Sequence, residues 1–171
     1  MAKLDEKAFY DALEDARKPR GSGKHPFTQM WAEGKLSREQ LGQWAIQHYY
    51  YISVIPPQFA VLYARMTDPV GRHLLMENLV GEEMPHAPEK SHPNLLLKFA
   101  RACGVSEETV LAAEADGEIL SGTRAMRSWI WELASIRPLH EACAGIMVAL
   151  EGQLPTLYPL YIGFDLRLLD I

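Results

Sequence analysis

Ser37-Arg-Glu-Gln40 is a capping box, in which the serine hydroxyl accepts from the Gln40 backbone N–H while the Gln40 side chain reaches back to the serine N–H. It opens a run in which Leu41, Trp44, His48, Ile52, Ile55, Phe59 and Tyr63 recur at helical spacing. A strand would need alternation with a period of two, which this run lacks, so a long amphipathic helix is the outcome. Pro56 and Pro57 are predicted to bend it midway, because proline removes a backbone donor and clashes with the preceding turn.

Helical signals continue on both sides. A first helix is predicted from about Asp5 to Arg17, with Phe9, Leu13 and Ala16 on one face, and a short second one begins at Pro26 and stops at Gly34. Beyond the long helix, Asp68-Pro69 starts a helix reaching about Glu83, and His92-Pro93 opens another that ends near Gly104. Ser106 caps a short acidic helix, Glu118 to Ile136 forms the next, and the last begins near Leu139, carries Glu151 and bends or ends around Pro155 and Pro159. No repeat and no strand is needed, so the fold expected is all-α: one domain over residues 1–171, a compact bundle of seven or eight helices.

A chain of 171 residues with 48% hydrophobic and 23% charged residues has the composition of a folded globular protein with a single core. Its net charge of -5 argues against nucleic acid as a partner, since phosphate binding needs clustered Lys and Arg, and the one basic cluster, Arg17 to Lys24, is broken by Pro19, Gly21 and Gly23. The acidic N-terminus has no apolar centre of the kind a secretory signal carries, so a cytoplasmic protein is expected. Cys103 and Cys143 form no spaced framework and read as reduced thiols. The weakly charged stretch Ala142 to Phe164 contains Glu151, Gln153, Pro155 and Pro159, too much polar and helix-breaking chemistry for a membrane span.

Several residues stand out as candidates for chemistry. Glu151 is the only formal charge between Ala142 and Phe164, and a carboxylate taken out of water must be paired, protonated or metal-bound. Glu82 continues the Leu75 and Leu79 stripe and is the inward candidate; Glu83 follows Met76 and Leu79 and is the weaker of the two. His92 stands ten residues after Glu82, at the start of the next helix. Two carboxylates and an imidazole on separate helices of a bundle form a pattern that holds iron or manganese, while an ion pair, a solvated helix end and a surface histidine are the plainer alternatives. In His48-Tyr49-Tyr50-Tyr51, four consecutive residues must face several directions; most are packing, and His48 with at least one of Tyr49, Tyr50 and Tyr51 is the candidate lining of a cavity. His25, His73, His86 and His140 have no spacing that singles them out, and there is no phosphate-binding glycine loop or HExxH.

The run HPFTQMWAEGKLSREQLGQWAIQHYYY resembles the opening of PqqC- and TenA-like proteins: a His-Pro helix, a Gly-Lys-Leu-Ser turn and a long aromatic helix. ENLVGEEMPHAPEKSHPNLLLKFARACGVSEE and MVALEGQLPTLYP resemble later segments in the same order, so the resemblance covers most of the chain from His25 to Pro159. It implies the haem-oxygenase-like fold, nearest to its diiron oxidases and oxygenases. In those proteins a helix-end Glu, a His opening the next helix and a Glu on a later core helix bind the metal, which correspond here to Glu82 (or Glu83), His92 and Glu151. The same branch completes its site with a late helix bearing a His, an acid and a His. Only twenty residues follow Glu151 and no His follows His140, so either the chain is a shortened version or the part bearing that helix is not represented in it.

The resemblance therefore implies an iron-dependent oxidase or oxygenase, with one or two Fe2+ ions, dioxygen and a small organic substrate, amino-acid-derived as one option. A non-catalytic binding protein that kept the fold and lost the metal, and a cofactorless oxidase or hydrolase of the PqqC or TenA kind, are the alternatives. A homodimer is expected, with Leu157, Leu160, Ile162 and Phe164 at or near the interface.

Overall fold

The computed structural model describes residues 4–153. Every regular element within them is helical, as expected for an all-α protein of the haem-oxygenase-like class. The chain divides into two units: one built from Leu36–Ala142, the other from its N-terminal 35 residues together with the segment that begins at Cys143. The expected interface residues Leu157, Leu160, Ile162 and Phe164 lie outside the described residues. Among the described residues no helix is long and apolar enough to cross a membrane.

The larger unit begins with the capping box, in which Gln40 N donates to Ser37 Oγ at 3.2 Å and Ser37 N to Gln40 Oε1 at 2.8 Å. The helix it opens, Arg38–Ile52 (which we number α3), stops two residues before a second one, Ile55–Arg65 (α4), that carries Pro56 and Pro57 in its first turn. The prolines thus start a new helix where a single bent one was expected. In a first turn their missing N–H groups cost nothing, because no carbonyl lies upstream to receive them.

Pro69–Glu83 (α5), His92–Ala102 (α6), Glu107–Ala112 (α7) and Ser121–Ser135 (α8) complete this unit. Helix α3 packs on α6 and α8, and α4 packs on α5 and α8. Ala45 and Ile46 of α3 share a buried cluster with Leu96, Leu97 and Ala100 of α6 and with Val110, Ala113 and Ile119. The close seating of α3 depends on Gly42, where an added Cβ would fall 2.7 Å from Val105 Cγ2. Arg65 at the end of α4 donates to Leu133 O at 3.1 Å, to Ala134 O at 2.6 Å and to Arg137 O, so one guanidinium takes up carbonyls that the end of α8 leaves unbonded.

In the smaller unit, Asp5 caps Glu6–Arg17 (α1) by accepting from Ala8 N at 2.8 Å, and Pro26–Ala32 (α2) follows. Helix Leu139–Cys143 (α9) belongs to the larger unit up to Ala142; in the smaller one Ala144–Leu150 is π-helical, after which Glu151 opens a single 3-10 turn. Within this unit Arg17 donates to Gly152 O and pairs with Glu14 at 2.6 Å.

Candidate functional site

Helical periodicity decides which carboxylate of α5 turns inward. Leu75 is 2% exposed and Glu82, seven residues on, 8%, whereas Glu83 is exposed. Met84 then takes the left-handed conformation, φ 46°, and stops the helix one residue after Glu83. Asn94 Nδ2 donates to Pro88 O and Lys98 Nζ to Glu89 O, both at 2.8 Å, tying the loop before α6 to the helix it precedes. His92, the first residue of α6, is brought back over the end of α5, with Nδ1 2.8 Å from Glu82 Oε2.

That contact is not a hydrogen bond. Glu82 Oε2 is buried and accepts no hydrogen bond, so what joins the two residues is the ion pair that forms when the imidazole is protonated. A buried carboxylate oxygen without a donor costs about 1–3 kcal/mol or more, and the half-exposed His92 offsets it only in part. A carboxylate oxygen and an imidazole nitrogen are donor types that hard or borderline divalent cations take, and here they converge from two helices. Within this unit no third His, Cys, Asp or Glu among the described residues joins them to make a group of three. Glu151 lies half-buried in the other unit, directly after the π-helical segment.

A cavity of about 300 Å³ opens between α3 and α8, lined by Trp44, Gln47, His48, Tyr51, Gly122, Thr123 and Met126. Its two walls are joined by Gln47, whose amide donates to Glu118 O at 2.8 Å and accepts from Leu120 N at 3.0 Å, pinning the entry to α8 against α3. Trp44, His48 and Tyr51 occupy one face of α3 on successive turns. The His48 ring stacks on Trp44, with centroids 4.3 Å apart at 20°, and meets the Tyr51 ring edge-on at 4.8 Å, while Tyr51 Oη lies 2.7 Å from His48 Nδ1. Burial among these rings, and after it the neighbouring charge of His92, pushes the His48 pKa down to about 4, which puts the two imidazoles within electrostatic reach of each other.

The tyrosine run divides as its helical geometry demands, and of the three only Tyr51 lines the cavity. Tyr49 packs against the α3–α6 cluster, its pKa raised by burial and by Glu107. Tyr50 donates to Glu114 at 2.8 Å and lies under the Arg127 guanidinium, 4.3 Å from ring centroid to Cζ. Trp44 and Gln47 of the cavity wall were open to discovery from the sequence, since they stand four and one residues before His48. Gly122, Thr123 and Met126 were not, because nothing local marks the turn of α8 that meets α3.

Comparison with known proteins agrees with this architecture. A 4-aminobenzoate synthase of Chlamydia pneumoniae is 41% identical over 85 residues, half of this chain and 37% of its own length. The bifunctional coenzyme PQQ synthesis protein C/D of Methylorubrum extorquens is 33% identical over 133 residues, 78% of this chain and 35% of that protein. A pyrroloquinoline-quinone synthase of Rhizobium rhizogenes is 30% identical over 138 residues, 80% of this chain and 54% of that protein. The chain thus spans about a third to a half of the curated relatives it matches. Residues 11–144 match the model of the TENA/THI-4/PQQC family, and the chain belongs to that family.

Proposed function

We propose that this chain serves an oxidase-type reaction on a small organic substrate and that Glu82 and His92 hold iron for it. The observation that carries this reading is the buried Glu82 Oε2, 2.8 Å from His92 Nδ1 yet without a hydrogen bond. The names of the relatives, 4-aminobenzoate synthase and pyrroloquinoline-quinone synthase, support a small substrate handled by oxidation. Glu83, which faces solvent, has no part in it. A ligand role for Glu151 rests on the family resemblance.

Glu82 and His92 would hold reduced iron, and the metal would supply the one-electron chemistry of dioxygen activation. Glu82 contributes charge from a site that water reaches poorly, which strengthens its hold on a cation. Trp44 and Met126 give the cavity its apolar wall, and Tyr51 and His48 orient the molecule held there. Gln47, by fixing α8 to α3, keeps the cavity's width constant.

An anaerobic Fe2+ titration, with metal analysis of protein purified without a chelating tag, tests the reading. The unaltered chain is expected to take up iron, and Glu82→Gln and His92→Ala to lose at least about tenfold in affinity. Glu82→Gln should also raise the metal-free Tm by a few degrees, because an amide is cheaper to bury than an unbonded carboxylate. That rise separates loss of a ligand from loss of the fold. Absence of iron uptake by the unaltered chain at high protein concentration would sink the proposal.

A further inference from the structure

The short basic segment after α1 holds a second cavity, one that the chemistry of Glu82 and His92 does not use. Lys18–Arg20 and Ser22–Lys24 are 3-10 turns joined at Gly21, where the backbone is extended. Gly21 N donates to Lys18 O at 3.4 Å, Lys24 N to Gly21 O at 3.2 Å and His25 N to Ser22 O at 3.0 Å, so the segment turns back on itself twice in quick succession. Pro19, Gly21 and Gly23, which interrupt the basic run in the sequence, thus supply its turns. A cavity of about 140 Å³ forms there, lined by Arg17, Lys18, Gly21, Gly23 and Lys24, all of the smaller unit.

Three of these lining residues are cations, on a chain whose net charge is -5. Two of them are matched: Arg17 pairs with Glu14 at 2.6 Å, and Lys18 with Asp15 at 2.7 Å. Lys24 has neither an ion pair nor a side-chain hydrogen bond among the described residues, so the cavity keeps one unmatched positive charge. Carbonyls of the same turns are already engaged, Lys18 O and Gly21 O by the backbone and Gly23 O by Gln29 Nε2 at 2.6 Å. Most of the wall surface is nonetheless apolar. Lysine and arginine stems provide such surface while their charged heads stay in water, and Lys18 and Lys24 are exposed.

We propose that this cavity binds a small organic monocarboxylate, its hydrocarbon body against the apolar wall and its carboxylate at the Lys24 ammonium. One unmatched cation fits one negative charge, and a wall of carbon fits a short hydrocarbon. A bare oxyanion such as phosphate needs donors on every side, which such a wall does not supply, while a neutral hydrocarbon leaves the Lys24 charge unused. On this scale about 10–15 Å³ admits one water, so a cavity of about 140 Å³ has room for a few carbons. The site is separate from the α3–α8 cavity, and the inference stands whether or not the chain takes up iron.

NMR titration of the isotope-labelled, metal-free full chain at pH 7, where lysine and carboxylates are both ionised, reads affinity and location together. Isovalerate presents charge and body, isovaleramide the body alone, and acetate and inorganic phosphate the charge alone. Isovalerate is expected to bind at about 1–10 mM, moving the backbone signals of Gly21, Gly23 and Lys24 together. Isovaleramide should bind about fivefold more weakly, the scale of one exposed ion pair, and acetate and phosphate about tenfold more weakly, the scale of a partly buried three-carbon body. Lys24→Met keeps the stem and removes the charge, so isovalerate should fall to the level of its amide, and Lys24→Arg should restore the difference. Salt at about 0.5 M should narrow the same gap by screening. Equal affinity for isovalerate and its amide, tighter binding of acetate or phosphate, a gap that survives Lys24→Met, signals moving outside residues 17–24, or no binding at about 100 mM would overturn the proposal.

Discussion

His48 ties the cavity to the stability of the unit that contains it. Its pKa is about 4 in the folded protein against an ordinary value of 6.5, so between these pH values the unfolded chain binds more protons than the folded one. The associated stability is fully present above pH 6.5 and is lost as pH falls towards 4. The full shift would correspond to about 3 kcal/mol, and the partial exposure of His48 reduces that to about 2 kcal/mol. Urea unfolding at pH 7 and pH 4.5 should therefore show the unaltered protein losing more stability than His48→Gln; parallel losses would mean that His48 is not held neutral. The sequence could not have given this shift. It placed His48 on the inward face of a helix, but the stacking of Trp44 and the approach of His92 depend on χ angles and on a neighbouring helix. Glu82 was more legible: the Leu75–Leu79–Glu82 spacing alone turns one carboxylate of the pair inward, as the burial of Glu82 and the exposure of Glu83 bear out.

Among the elements, the junction from α5 to α6 sets the distance between Glu82 and His92, and it turns on Met84. A side chain at φ 46° costs about 1 kcal/mol relative to glycine, the usual residue where a helix ends in the left-handed conformation. Met84→Gly is expected to raise the Tm by a few degrees, measured by calorimetry, while leaving iron affinity within about twofold, because the hydrogen bonds from Asn94 and Lys98 hold the loop independently of residue 84. A lower Tm would show that the Met84 side chain contributes more by packing than its backbone costs. Element boundaries were readable where side-chain chemistry marks them, as at the Ser37 capping box and the Asp68, Ser106 and Asp5 caps. The break between α3 and α4 was harder, since a proline pair within a continuous apolar stripe is compatible both with one bent helix and with two. Packing decides between them, and Ile55, Phe59 and Leu62 are buried at 2% exposure or less once α4 is free to take its own direction.

At the scale of the whole molecule, the remaining question is whether one chain covers its own apolar surface. Val70, Leu74, Met76 and Val80 of α5 are each between 42% and 68% exposed, on the side of the helix away from Leu75 and Glu82. The sequence after Glu151 adds Leu157, Leu160, Ile162 and Phe164 with few charges between them. Monomeric proteins rarely leave contiguous apolar patches beyond a few hundred Å² in water, and helical faces of this kind pair readily about a two-fold axis. We therefore predict a homodimer. Light scattering at micromolar concentration should give a mass of about twice the 19.3 kDa of one chain, with little binding of a hydrophobic dye. Dilution should release monomers that take up the dye, because a two-fold contact obeys mass action while an intramolecular one does not. A mass of 19.3 kDa without dye binding would show instead that the chain buries these residues against itself, and the argument for a partner copy would fail.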